Sequence, residues 1–425
     1  MMMLMLFLLL LLLGMPLAFC LLIAGFSYFA MADSLPLMVG VQRMVASSQN
    51  FPLLAVPFFI LAGHVMNHSG ITERLIRFSN LLVAWIAGGL AHVTIILSAL
   101  MGGVSGSAIA DAAMQARILG QPMQDSGLSR GFSAAIIAVS ALITACIPPS
   151  IGLILYGYVG NVSIGQLFVA GIVPGILLTF ILMFTVYRQV KRHYPNQAAG
   201  QKRPGGREIL RSMNDCKWAL LFPVILIVTI RFGIFTPSEA GAFAVIYACA
   251  IGLFIYRDLH WHTIVTSLKD SVNDIGMIML IILASGVVGY VVAYEQLPVS
   301  LAQSVTALTE QPLLVMFTCL LLLLFVGMLM EGTVTVLLLT PILVPVIEAV
   351  GIDPVHFGIL MMIMVTFGGT TPPVGIAMYT VCNIMKCPTD SYVKDAWPFF
   401  IAVLIAITIM AVFPPLVMFL PHLLY

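Results

Sequence analysis

Gly102-Gly103-Val104-Ser105-Gly106-Ser107-Ala108-Ile109-Ala110-Asp111 is the stretch on which the reading of this chain turns. It is small, polar and glycine-rich, yet an almost uninterrupted apolar run from Leu90 to Met101 leads straight into it. Hydrocarbon tolerates such backbone only where it is buried in protein or lines a watery cavity, because no solvent is there to satisfy its amides and carbonyls. A carboxylate at that depth, Asp111, marks a functional position by default. The remaining chain reads as a scaffold presenting this segment and a later partner.

Composition sets the surroundings. Of 425 residues, 61% are hydrophobic and 8% charged, with mean hydropathy +1.10, against about 25% charged in an ordinary soluble domain. The apolar runs are long enough to span as helices, unlike the short alternating segments of a barrel. An all-α polytopic membrane protein follows. Net charge is +1, so no nucleic-acid partner is expected. The seven cysteines sit mostly inside apolar runs without metal-type spacing and read as packing. His64 and His68 lie four apart, but no third ligand is near, so neither a transition metal nor a cofactor is expected. Residues 1–31 are apolar, with no basic residue before Arg43, and predict a first spanning helix rather than a secretory leader.

Further spans are predicted over 51–66, 81–101, 165–187, 218–232, 239–256, 275–294, 312–330 and 397–420. Residues 112–131 carry Gln115, Arg117, Gln121, Gln124, Asp125 and Arg130. That is too polar to face lipid and reads as a helix that enters, turns and returns inside protein. The next apolar run ends at Pro148-Pro149-Ser150-Ile151-Gly152, where two prolines break a helix at mid-span. Residues 188–217 hold Arg188, Lys191, Arg192, Lys202, Arg203, Arg207, Arg211 and Lys217, eight of the eighteen basic residues. This bias places the loop in the cytoplasm.

Shifting the chain by 224 residues carries Gly103 onto Gly327, Gly127 onto Gly351, Pro148-Pro149 onto Pro372-Pro373 and Pro174 onto Pro398. The chain thus divides into a first repeat, 1–190, a basic loop, 191–217, and a second repeat, 218–425. Each repeat holds a hairpin (about 103–126 and 327–350) and a broken helix (148–152 and 368–375). Repeats with a broken helix near the middle of the membrane mark secondary transporters. An interrupted helix leaves unpaired amides at one end and carbonyls at the other. Carbonyls and hydroxyls coordinate Na⁺, and helix N-termini attract a carboxylate.

The candidate ion- and substrate-binding residues are Gly103, Ser105, Gly106, Ser107, Asp111, Thr144, Pro148, Pro149 and Ser150 in the first half. Their counterparts are Gly327, Glu331, Gly332, Thr333, Thr335, Gly368, Gly369, Thr370, Thr371, Pro372 and Pro373 in the second. Carbonyls and hydroxyls around Ser105–Ser107 and Thr370–Thr371 are the expected ion ligands, with Asp111 holding the hairpin in shape. Enzyme motifs are missing: there is no phosphate loop and no His-Glu-x-x-His. An intramembrane enzyme, the competing class, would need Asp111 or a Ser/His pair as catalyst.

With these residues in place, the chain resembles the large membrane subunit of TRAP (tripartite ATP-independent periplasmic) transporters. The resemblance lies in Asn50-Phe51-Pro52-Leu53-Leu54-Ala55-Val56-Pro57 through Gly63, Gly103 to Asp111, Ile147 to Tyr156, Phe235 to Ala240, Leu339 to Pro345, Gly351 to Gly358, and Thr371 to Gly375. It implies two inverted repeats and an elevator-type carrier in the bacterial inner membrane, whose hairpins and broken helices move through the lipid bilayer past a fixed scaffold. It implies cargo of Na⁺ and an organic anion, a dicarboxylate or a sugar acid such as diketogulonate. The implied partners are a small four-helix membrane subunit and a periplasmic solute-binding protein; a stand-alone Na⁺/dicarboxylate carrier is the alternative. Met114-Gln115-Ala116-Arg117 and Phe367-Gly368-Gly369-Thr370 depart from the family pattern beside the proposed sites, which puts ion stoichiometry and substrate preference in question.

No Lys or Arg precedes Arg43 or follows Lys394, so both termini are expected in the periplasm and the number of crossings is expected to be odd. Alkaline phosphatase joined after Tyr425 is expected to be active. Activity there of only a cytoplasmic reporter would overturn the orientation.

Overall fold

The computed structural model describes residues 2–32, 35–194, 204–308 and 311–425; Lys202 and Arg203 of the basic loop lie outside the described residues. The first half runs α1 (Met2–Leu12), α2 (Leu17–Met31), α3 (Leu37–Ser48), α4 (Ala55–His68) and α5 (Ile71–Val83). It continues through α6 (Gly89–Gly102), α7 (Ala108–Asp125), α8 (Arg130–Cys146), α9 (Ile151–Val159) and α10 (Ile164–His193). The second half holds α11 (Gly206–Arg231), α12 (Pro237–Ala250), α13 (Trp261–Tyr294), α14 (Leu297–Leu308) and α15 (Pro312–Leu329). It closes with α16 (Gly332–Ala349), α17 (Pro354–Gly368), α18 (Ile376–Met385), α19 (Thr389–Val412) and α20 (Pro415–Leu424). Among the described residues, 8 helices are long and apolar enough to cross a membrane, or 9 if α8 and α9, bent by 47° at their break, form one span.

The 224-residue offset carries helix boundaries as well as landmarks: α7 falls on α16 from end to end, and α8, α9 and α10 fall on α17, α18 and α19. Gly127 and Gly351 both turn with positive φ, +97° and +77°, after their hairpins. The next helices start on equivalent caps. Ser129 Oγ accepts from Phe132 N–H at 3.0 Å, and Asp353 Oδ1 accepts from Val355 N–H at 2.7 Å. Such caps satisfy amides that the helix itself leaves unpaired. Both Pro-Pro peptides are cis.

Three expectations change. Residues 1–31 do not form one helix: the chain breaks at Gly14, which adopts φ +77°, and Pro16, which has no N–H to continue the ladder. Each hairpin begins earlier than expected. Residues 103–107 and 330–331 are its tip, with α6 and α15 as its first arms. The span expected over 275–294 is the second part of a 34-residue helix, α13, whose first turns carry Lys269, Asp270 and Asp274.

Helices α8 and α17 are buried along nearly their whole lengths and form the centre, α8 against α6, α7, α10 and α19, and α17 against α15, α16 and α10. Small residues let the backbones meet, the usual solution where lipid supplies no hydrophobic drive between helices. A Cβ added to Gly368 would stand 2.6 Å from the Gly327 carbonyl carbon, and one added to Gly171 would stand 2.0 Å from the Cys146 oxygen. Beside this group α4 packs on α12 and α13, and α13 on α2 and α3. The two groups meet where α4 touches α9 and α13 touches α16.

Gly368→Ala puts a methyl into backbone that cannot swing aside, so a loss of about 1–3 kcal/mol is expected. Gly289→Ala, where no atom lies within 4 Å of the added Cβ, is the control. Thermal unfolding in detergent should separate the two.

Candidate functional site

The tip of hairpin 1 is shaped by backbone. Val104 and Ser105 N–H groups both donate to the Met101 carbonyl, at 2.8 and 2.9 Å, and close the end of α6. Gly106 then takes φ +64°, and a Cβ there would lie 2.5 Å from the Pro149 oxygen. The tip therefore abuts the first helix break. Ile151 N–H, at the start of α9, donates to the Gly106 carbonyl at 3.4 Å. Its counterpart in the second half, Gly375 N–H, donates to Met328 in hairpin 2 at 3.0 Å. Gly369 C=O accepts from both Ala377 and Met378 N–H, at 2.9 and 3.3 Å, folding the second break.

The four helix starts around these tips divide into two kinds. Ser107 Oγ caps α7 by accepting from Ala110 N–H at 3.4 Å. Glu331 caps α16, accepting from Val334 N–H at 3.2 Å and from the Thr333 hydroxyl at 2.9 Å. By contrast, α9 and α18 begin without a side-chain cap. Ile151, Ala377 and Met378 N–H are already taken up by the Gly106 and Gly369 carbonyls, so what these helix starts offer an anion is the positive end of the helix dipole rather than a full set of free amides.

A cavity of about 850 Å³ lies among the two tips, the two breaks and the wall formed by α4 and α13. Ser105, Gly106, Ser107, Ser150, Glu331, Gly332, Thr333, Gly369 and Thr370 line it, as do Ile151, Ile376 and Ala377 at the uncapped helix starts. The remaining candidates stand outside the lining. Gly103 packs against Pro223, and Gly327 against Gly368 and Val365. Thr144, Thr335 and Thr371 turn their hydroxyls to the carbonyls of Ser98, Glu331 and Gly368, at 3.1, 3.1 and 2.8 Å. Pro148, Pro149, Pro372 and Pro373 shape the breaks without reaching the cavity.

Asp111 sits one layer behind the tip, 1% exposed, faced by the hydroxyls of Ser105 and Thr144. Its Oδ2 has no protein partner, and the same is true of Ser150 Oγ, which lines the cavity, and of Gln115 Oε1, one turn further along α7. Gln115 Nε2 donates to Ser98 Oγ at 2.9 Å. A buried acceptor left unmade costs about 1–3 kcal/mol, so three in one neighbourhood mark a place that takes a hydrogen-bond donor or a cation. The donors are all oxygen. Among the described residues no cluster of three or more His, Cys, Asp or Glu could hold a metal ion.

Four polar lining residues are not among the sequence candidates for the site: His64, Asn67, Asp274 and Thr366. In the sequence His64 stands out only as one of a pair with His68. That pair does not form a site. His68 Nδ1 sits 3.0 Å from the His64 carbonyl oxygen and 3.1 Å from Ser267 Oγ, while His64 Nε2 pairs with Asp274 Oδ2 at 2.8 Å.

Residues 4–416 match the family described as "Tripartite ATP-independent periplasmic transporter, DctM component". The chain is 38% identical over 411 residues to the sialic acid TRAP transporter large permease protein SiaM of Vibrio cholerae, covering 96% of this chain and 95% of that protein. It is 34% identical over 410 residues to the 2,3-diketo-L-gulonate TRAP transporter large permease protein YiaN of Escherichia coli, with the same two coverages. Among solved structures, the YdaH transporter of Alcanivorax borkumensis shares the fold at TM-score 0.64 and 12% identity, over 90% of this chain and 89% of that one.

Ser150→Ala removes a hydroxyl that makes no hydrogen bond in the protein, so thermal stability without added ligand should stay level or rise. The gain in stability on adding NaCl, measured against KCl, should shrink in the same variant.

Proposed function

This chain belongs to the DctM family of tripartite ATP-independent periplasmic transporters, and from that premise we propose that it couples Na⁺ entry to uptake of an organic anion. It is a membrane permease subunit and not an enzyme. The observation that carries the proposal is the cavity itself. It gathers two hairpin tips and two uncapped helix starts, with the unpartnered oxygens of Ser150 on its wall and Asp111 one layer behind.

Charge explains the coupling. Among the described residues lining the cavity, Asp274 and Glu331 are carboxylates, and no Lys or Arg faces them. An anion brought into this low-dielectric space alone meets like charge and loses its hydration. The amides of α9 and α18 supply partial positive charge, and a cation bound among the oxygens of hairpin 1 supplies the rest. Each ligand thus raises the affinity for the other, which is the thermodynamic content of coupled transport. Asp111 is read here as an ion ligand rather than a strut, because a carboxylate serving only the hairpin's shape would have both oxygens bonded.

The remaining parts follow the family. A small four-helix membrane subunit and a periplasmic solute-binding protein complete the system, the hairpins and breaks move as an elevator past the α4–α13 wall, and both termini face the periplasm. Sialic acid and 2,3-diketo-L-gulonate, printed in the names of two relatives, are both sugar acids, and that class is the proposed cargo.

Proteoliposomes holding this chain, its small subunit and its binding protein should take up a sugar acid when an inward Na⁺ gradient is imposed, without ATP. Asp111→Asn should raise the half-saturating Na⁺ concentration about ten-fold or more, the effect of one lost charged ligand. Equal uptake with and without the Na⁺ gradient would overturn the coupling.

A further inference from the structure

The wall opposite the hairpin tips carries a feature that ion coupling does not use. His64, on α4, and Asp274, on α13, both line the cavity, with His64 Nε2 2.8 Å from Asp274 Oδ2. Their side chains are 25% and 49% exposed, so the pair stands at an open face and is not locked in packing. Because a carboxylate only accepts, the ring nitrogen donates in this bond. His64 is the single basic side chain among the described residues lining the cavity. The other lining carboxylate, Glu331, is already occupied by Val334 N–H and Thr333 Oγ1.

The backbone holds this imidazole near the proposed cargo. Gly63, the preceding residue, brings α4 against hairpin 1 so closely that an added Cβ would lie 3.3 Å from the Ser105 carbonyl oxygen. Asn67, one turn further along α4, lines the same wall. A carboxylate positioned between the hairpin tips and this wall reaches the same ring that Asp274 holds.

We infer that His64 is the specificity-determining contact for the anion, and that Asp274 is an internal carboxylate which the cargo's carboxylate displaces from it. The inference rests on the transport reading above. Exchange of one carboxylate for another is close to balanced in energy, so capture is selective for carboxylates without being tight, and the returning Asp274 assists release. The cargo class this favours is an acid with a carboxylate at one end, as the sugar acids have.

The test uses the full chain reconstituted with its small subunit and binding protein, and radiolabelled sialic acid, gluconate and succinate as probes. For the probe that the wild type takes up, His64→Gln should raise the half-saturating concentration about ten-fold, the worth of one charge-assisted hydrogen bond. Maximal rate and Na⁺ dependence should stay unchanged. Asp274→Asn, which removes the competitor, should move the half-saturating concentration the opposite way. His64→Lys, which keeps an N–H donor beside Asp274, should stay within about three-fold of wild type. Wild-type kinetics in His64→Gln, or a rise in Asp274→Asn matching that of His64→Gln, would overturn the assignment. If His64→Gln is not recovered in membranes, the sign of the Asp274→Asn change alone decides. A wild type that takes up none of the probes under a Na⁺ gradient would instead bring down the transport reading, and this inference with it.

Discussion

Two helices of this protein stop in its buried centre, and the interaction on which everything else rests is what satisfies their free ends. In hydrocarbon each unpaired amide or carbonyl is expensive, and water is not there to help. The partners come from the hairpins: Ile151 N–H reaches Gly106 and Gly375 N–H reaches Met328. A side chain closes a further gap, Tyr392 donating to the Thr370 carbonyl at 2.9 Å. Once these bonds are made, the hairpin tips have to sit beside the breaks, and the space they enclose is the cavity.

The two halves share their backbone plan and differ in their chemistry. Position for position along the 224-residue shift, Ser107 answers to Glu331, Asp111 to Thr335, Thr144 to Gly368, and Phe168 to Tyr392. Hairpin 1 therefore keeps its carboxylate buried behind the tip, while hairpin 2 carries its carboxylate at the tip as a helix cap. The duplicated backbone supplies two equivalent cradles. Substitution within them leaves one with an unpartnered carboxylate oxygen and the other with its carboxylate engaged in capping.

What the sequence makes legible is local. Glycines, prolines and polar residues stand out against an apolar background, so the helix interruptions at Pro148-Pro149 and Pro372-Pro373 are legible, as are the polar residues of the hairpin tips that line one side of the cavity. The opposite wall is not. His64 and Asp274 are 210 positions apart, and nothing within either neighbourhood announces the other, because their pairing depends on how α4 and α13 pack. The break at Gly14 and Pro16 lies inside a stretch of unbroken apolarity, and hydropathy measures burial and not helix continuity. The unpartnered state of the Asp111, Ser150 and Gln115 oxygens is likewise a property of three dimensions.

Gly63 and Ser105 meet through backbone, with no side chain of Gly63 standing between α4 and the tip of hairpin 1. Packed helices normally interlock, ridge in groove, and moving one past another means lifting side chains out of their seats. At this contact there is no knob on the α4 side to lift. Friction at such a surface is set by a few van der Waals contacts of about 0.1–0.2 kcal/mol each, and each one lost can be replaced by its neighbour. A glycine placed for close approach thus leaves the contact smooth as well as tight.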